Sequence, residues 1–207
     1  MVVGDMPFGS YQVSVPDTVR NGIRFLKEGG CDAVKLEGGR EVCGHVQALV
    51  RAGIPVMGHL GLTPQTAGQL GGYKVQGRDM DAARRLVEDA LALEEAGIFA
   101  LVLECVPGGL ARVVTSRLRV PTIGIGAGPN CDGQVLVTND MLGLFEKFTP
   151  SFIKKYCNLA PQIKDGVAAY LRDVAEGTFP AKEHTFASEL DFSSLLEDPD
   201  IPTPSSS

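Results

Sequence analysis

Several side chains able to do chemistry stand at the ends of apolar runs. Asp5 follows Met1-Val2-Val3-Gly4, and Lys35 with Glu37 closes Asp32-Ala33-Val34-Lys35-Leu36-Glu37. His59 lies in Ile54-Pro55-Val56-Met57-Gly58-His59-Leu60, and Glu104 in Ala100-Leu101-Val102-Leu103-Glu104-Cys105-Val106. Lys35 and Glu37 are two apart, so on a strand both point to one side. A lone pair of this kind is more often an intrastrand ion pair or two charges at a solvated strand end. With Asp5 and Glu104 at equivalent positions on other runs, a functional cluster is the stronger reading. Asp5 and Glu37 are hard oxygen ligands suited to Mg²⁺, which often takes one or two carboxylates plus substrate and water. Lys35 could hold an anionic group of a substrate. Glu104 follows four apolar residues. Such surroundings raise a carboxyl pKa towards the range of a general base. A buried glutamate bonded to backbone amides or an arginine is an equal alternative. His59, as a single histidine, is more often a hydrogen-bonded structural group than a base or ligand. His45 sits in a helical pattern and is expected to be exposed, while His184 is left open. No His or Cys spacing supports zinc.

The elements that must position these groups alternate. Besides the four runs above, Val120-Pro121-Thr122-Ile123-Gly124-Ile125-Gly126 and the shorter Gln134-Val135-Leu136-Val137 read as strands. They are nearly all apolar rather than alternating, as in a parallel sheet covered on both faces. Helical patterns lie between them. Ser14 can cap a helix with Pro16 and Asp17 in its first turn and Val19, Ile23 and Leu26 as its stripe. Val42, Val46, Leu49 and Val50 form the next stripe, and Gly53 ends it. Ala83, Leu86, Ala90 and Leu93 form a third, capped by Asp79 and stopped by Gly97. Leu110, Val113 and Val114 suggest a fourth helix, and Ile163, Val167, Tyr170, Leu171 and Val174 a long last one. The order predicts an α/β fold, doubly wound or a barrel, in which strand C-terminal ends share one ligand-binding face. Residues 61–78 form a Gly-rich connection long enough to be functional. Gly124-Ile125-Gly126-Ala127-Gly128 could cradle an anion, although a tight turn explains it equally well.

Composition narrows the class. The chain has 207 residues, 44% hydrophobic and 21% charged, with a formal net charge of -6. There is no basic footprint for nucleic acid or an anionic membrane, and no apolar run of roughly 18 residues for a membrane span. The five scattered cysteines suggest reduced core thiols in a reducing compartment. The end, roughly 187–207, reads as a flexible acidic tail.

Longer motifs then occur in one order: Asp5-Met6-Pro7-Phe8, Val34-Lys35-Leu36-Glu37-Gly38-Gly39, and Gly58-His59-Leu60-Gly61-Leu62-Thr63-Pro64-Gln65. They continue with Gly71-Gly72-Tyr73-Lys74-Val75-Gln76-Gly77-Arg78, Leu103-Glu104-Cys105-Val106-Pro107, Ile123-Gly124-Ile125-Gly126-Ala127-Gly128 and Asp132-Gly133-Gln134. Over roughly residues 2–186 the sequence resembles the ketopantoate hydroxymethyltransferase family. The resemblance implies a (β/α)₈ TIM barrel that binds Mg²⁺ and forms a cytoplasmic homo-oligomer, an organelle matrix being the other compartment. Its implied reaction moves a one-carbon unit from 5,10-methylenetetrahydrofolate to 3-methyl-2-oxobutanoate, giving 2-dehydropantoate. By resemblance, Asp5 and Glu37 are metal-site acids, and Asp5, Lys35 and His59 lie at the ketoacid. Glu104 is the proton acceptor.

The family places an N-terminal helix and two βα units before the strand ending at Asp5, including a Gly-Asp-Ser segment with a further metal-site aspartate. No such segment occurs here. The expectation is an incomplete barrel over 1–186, lacking the first two βα units, followed by the 187–207 tail. Two other readings compete. One is a Mg²⁺-dependent lyase or mutase of phosphoenolpyruvate-like acids. The other is an inactive fragment that assembles only with other chains.

Overall fold

The structure, a computed structural model, describes residues 1–68, 72, 74–196 and 198. Gly71 and Tyr73 of the Gly-rich motif, and positions 197 and 199–207 of the expected tail, lie outside the described residues. Two compact units divide the chain, residues 1–156 and 157–207.

The first unit is built on six strands. They are β1 (Val3–Asp5), β2 (Ala33–Glu37), β3 (Val56–Gly61), β4 (Ala100–Glu104), β5 (Thr122–Ile125) and β6 (Gly133–Gln134). They lie side by side in chain order, and every neighbouring pair is parallel. This is an α/β fold with a half-barrel parallel sheet. Parallel neighbours need crossover connections, and helices supply four of them. These are α1 (Val15–Lys27), α2 (Cys43–Arg51), α3 (Met80–Ala96) and α4 (Gly108–Arg117). Their ends follow local chemistry. The Ser14 hydroxyl accepts the Asp17 N–H at 3.2 Å, with proline in the first turn. The Asp79 carboxylate accepts the Ala82 N–H at 2.8 Å, and Gly97 closes α3 in the left-handed region at φ 105°.

Period-2 alternation divides the sheet into two faces. Val34, Leu36, Val56, Leu60, Leu101 and Leu103 pack with Val46, Leu49, Leu86, Leu93 and Val114 of the helices in the main core. The other face carries a smaller apolar cluster: Val3, Met57, Ala100, Val102, Ile123 and Ile125. Above that cluster, at the strand C-terminal ends, stand the polar residues of the candidate site.

Several expectations need correction. The run 134–137 yields only a two-residue strand, Gly133–Gln134. Val135 and Val137 are 43% and 53% exposed, so no burial holds them in the sheet. His45 is half-buried rather than exposed, because Thr18 Oγ1 lies 2.8 Å from its Nδ1. Only Cys105 of the five cysteines is buried; Cys31, Cys43 and Cys131 are half-buried, and Cys157 is exposed. A short helix missed by the pattern, α5 (Thr138–Met141), follows β6.

In the second unit, α6 (Leu159–Glu176) is the expected long helix. Its apolar stripe is largely exposed, with Ile163, Val167, Tyr170, Leu171 and Val174 between 48% and 60% accessible. Tyr170 packs edge-on against Phe179, centroids 5.7 Å apart. No helix among the described residues is long and apolar enough to cross a membrane.

Candidate active site

Sheet register brings the candidate residues together. Asp5 pairs with Lys35, Glu37 with His59, and Gly61 with Glu104. Lys35 and Glu37 are two apart, as are His59 and Gly61, so all five functional side chains leave one face of the sheet.

The contacts form a chain. Lys35 Nζ lies 2.7 Å from Asp5 Oδ1 and 3.3 Å from His59 Nδ1. His59 Nε2 lies 3.2 Å from Glu104 Oε2, off the line of a hydrogen bond. Glu37 Oε1 is 3.7 Å from His59 Nδ1, too long for a hydrogen bond. Glu37 Oε2 instead accepts the Gln65 N–H at 3.0 Å. An ammonium can only donate, so the bond from Lys35 makes His59 Nδ1 an acceptor. The neutral ring therefore carries its proton on Nε2, facing Glu104.

Burial grades the site. The Glu37 and His59 side chains are 3% and 4% exposed, Glu104 and Lys35 17% and 18%, and Asp5 54%. Burial pushes the Glu37 carboxyl above its ordinary value, against the pull of His59, the Gln65 amide and Lys35. Beyond Glu104, Cys105 holds a left-handed backbone at φ 50°. Its N–H bonds Ile125 O and its carbonyl accepts the Gln76 N–H, each at 2.9 Å. Burial pushes its thiol up to about 11, so Cys105 stays protonated at neutral pH.

Two residues given no role by sequence reasoning join the site. Gln65 donates its backbone N–H to Glu37, and its side-chain amide donates to Met6 O at 2.8 Å, leaving Gln65 Oε1 buried with no partner among the described residues. Tyr11 places its hydroxyl on the backbone of Glu37. The Gly-Leu-Thr-Pro-Gln motif marked Gln65 as notable; nothing in residue spacing marked Tyr11. A cavity of about 630 Å³ reaches Glu37, Tyr11, Thr63, Thr66 and Arg85. Another, of about 620 Å³, opens at Gly126 and Gly128 of the glycine loop and at Phe152. Asp132, beyond that loop, is a staple, accepting from Thr122 N at 2.8 Å.

The donor set accommodates a hard divalent cation. Lys35 and the Gln65 N–H each occupy one oxygen of Asp5 and Glu37, and a carboxylate offers about four lone-pair sites. Magnesium often takes only one or two carboxylates, with waters and substrate oxygens completing its shell. Among the described residues no group of three or more His, Cys, Asp or Glu forms a ready-made ligand cluster. In donor chemistry, though not as a ready-made cluster, the Asp5 and Glu37 carboxylates suit such an ion.

Residues 1–182 match the family described as ketopantoate hydroxymethyltransferase. The chain belongs to that family. It is 66% identical over 199 residues to the 3-methyl-2-oxobutanoate hydroxymethyltransferase of Desulfotalea psychrophila, covering 96% of this chain and 71% of the relative. The enzyme of the same name from Heliobacterium modesticaldum is 58% identical over 195 residues, covering 94% of this chain and 71% of its own length. Among solved structures, a phosphonopyruvate hydrolase aligns with a TM-score of 0.48 at 14% identity, covering 94% of this chain and 66% of the other.

Proposed function

We propose that this member of the ketopantoate hydroxymethyltransferase family transfers a one-carbon unit from 5,10-methylenetetrahydrofolate to 3-methyl-2-oxobutanoate, giving 2-dehydropantoate for pantothenate biosynthesis. The convergence of Asp5, Lys35, Glu37, His59 and Glu104 at one end of a parallel sheet supports it. In this reading the six strands belong to a (β/α)₈ barrel over 1–186, followed by the 187–207 tail, and the enzyme is a cytoplasmic homo-oligomer.

The residues divide the work. Lys35 binds the ketoacid carboxylate, assisted by Asp5, which holds the ammonium in place. Glu104 removes the proton on the carbon next to the ketone. His59, with Nε2–H towards Glu104, orients that carboxylate and disperses its charge. Asp5 and Glu37 would hold Mg²⁺, which when bound polarises the ketone and stabilises enolate charge. Water cleaves the folate methylene from its two nitrogens, leaving tetrahydrofolate and a one-carbon unit at the formaldehyde level. The enolate carbon adds to that carbonyl carbon, and the resulting alkoxide takes back the proton held by Glu104 to become the new hydroxyl. A lyase or mutase acting on phosphoenolpyruvate-like acids has no feature in its favour beyond a lysine, acids and a glycine loop.

The test is consumption of 3-methyl-2-oxobutanoate by the purified chain with Mg²⁺, with and without methylenetetrahydrofolate. Folate-dependent 2-dehydropantoate is the expected product. Turnover that ignores the folate sinks the proposal.

A further inference from the structure

Strand β1 stops short of its neighbour. The Met6 N–H donates to Lys35 O at 3.1 Å, and this is the last rung between them. In a parallel ladder alternate residues turn their N–H and C=O towards the same neighbour. Lys35 faces β1, so Glu37, two residues on, presents its backbone groups to a strand that has already ended. Those groups need partners, since a buried unpaired backbone donor or acceptor is costly.

Tyr11 supplies both. Its hydroxyl accepts the Glu37 N–H at 3.2 Å and donates to the Glu37 carbonyl at 3.1 Å. One phenolic proton and the oxygen lone pairs match that demand. The ring is 1% exposed, and burial pushes the phenol up to about 12, so the hydroxyl keeps the proton it must donate. Tyr11 is itself held. Its carbonyl accepts from Thr18 Oγ1 at 3.0 Å, and Thr18, fully buried, also reaches Ser14 O at 2.9 Å and His45 Nδ1 at 2.8 Å. Thr18 has one proton to share between two carbonyls, so His45 is the donor in the third contact.

We infer that Tyr11 is a positioning residue: its hydroxyl replaces the missing β1 rung and locks the Glu37 backbone, while Gln65 fixes the carboxylate. This rests on the reading of Glu37 as a metal-site acid and deepens it.

The experiment uses Tyr11→Phe in the full chain, which removes one oxygen and keeps the ring. Amide hydrogen exchange, measured without metal, is expected to speed up about tenfold at Glu37 and to stay unchanged at Val56 and Leu101. Mn²⁺, used as a paramagnetic substitute for Mg²⁺ and titrated by electron paramagnetic resonance, is expected to bind about tenfold more weakly. Val114→Ala, a core change on α4, should leave Mn²⁺ affinity at the parent value. Parent-like exchange at Glu37 overturns the inference, and so does parent-like Mn²⁺ affinity or an equal loss in Val114→Ala. If Glu37→Ala binds Mn²⁺ as the parent does, the metal-site reading fails instead, and Glu37 exchange alone decides whether Tyr11 holds that backbone. Should Tyr11→Phe not fold, Thr18→Val, which frees the Tyr11 carbonyl, carries the same two readouts.

Discussion

His59 and Glu104 face each other at 3.2 Å, imidazole Nε2 to carboxylate Oε2, from neighbouring parallel strands. With Nδ1 engaged by Lys35, the ring offers Glu104 a proton-bearing nitrogen that is not in line for a full hydrogen bond. The carboxylate therefore has the imidazole beside it without being tied down by it, as suits the proton acceptor proposed above.

Glu104→Gln removes the proposed proton acceptor and keeps the shape. Exchange of the ketoacid α-proton into D₂O, followed by NMR, should fall by about 10²–10⁴-fold, the usual contribution of a general base. Mg²⁺ binding should be unaffected. Exchange at the parent rate would remove Glu104 from that role.

Lys35→Met tests the anion contact. A hydrogen bond to a charged group contributes about 1.5–3 kcal/mol, so KM for the ketoacid should rise by roughly ten- to a hundredfold. Steady-state kinetics with the folate saturating would show it, and an unaltered KM would place the carboxylate elsewhere.

Glu37→Gln separates burial from function. Because burial raises the Glu37 carboxyl, the folded chain binds this proton more readily than the unfolded one. Ionising it therefore costs stability as pH rises from the ordinary carboxylate value through the raised one. The metal-free variant should melt above the parent at pH 7, and the gap should close as the solution is acidified. Added Mg²⁺ should raise the melting temperature of the parent far more than that of the variant. A gap that widens on acidification would contradict the burial argument.

Gly61 stands against the Glu104 carbonyl with φ 95°, where a Cβ would collide with backbone. Gly61→Ala should cost roughly 1–3 kcal/mol. For a chain of this size each kcal/mol lowers the melting temperature by about 2–4 °C. A scanning calorimetry trace that matches the parent would show that β3 and β4 can separate at no cost.

The fold was legible where local chemistry decides it. Ser14, Asp79 and Gly97 act at helix ends as their types predict, and the apolar runs before Lys35, His59 and Glu104 form parallel strands. All five expected site residues share one face, because alternation along a strand and strand order fix that together. Tyr11 was illegible, since its role arises from where β1 ends, and a strand end depends on partners. The run after Gln134 misled because hydrophobicity indicates what a residue prefers, not whether a surface exists to cover it. The stripe on α6 teaches the same lesson: the helix forms, yet Tyr170 and Leu171 remain 54% and 60% exposed.

The left-handed bend at Cys105 has a mechanical meaning. One peptide unit past Glu104, the chain grips β5 through its N–H and the segment around Gln76 through its carbonyl. Gln76, in the connection between β3 and α3, is thereby tied to the residue next to Glu104. A tug on either is transmitted to the other through a single bonded joint, with no side chain in between.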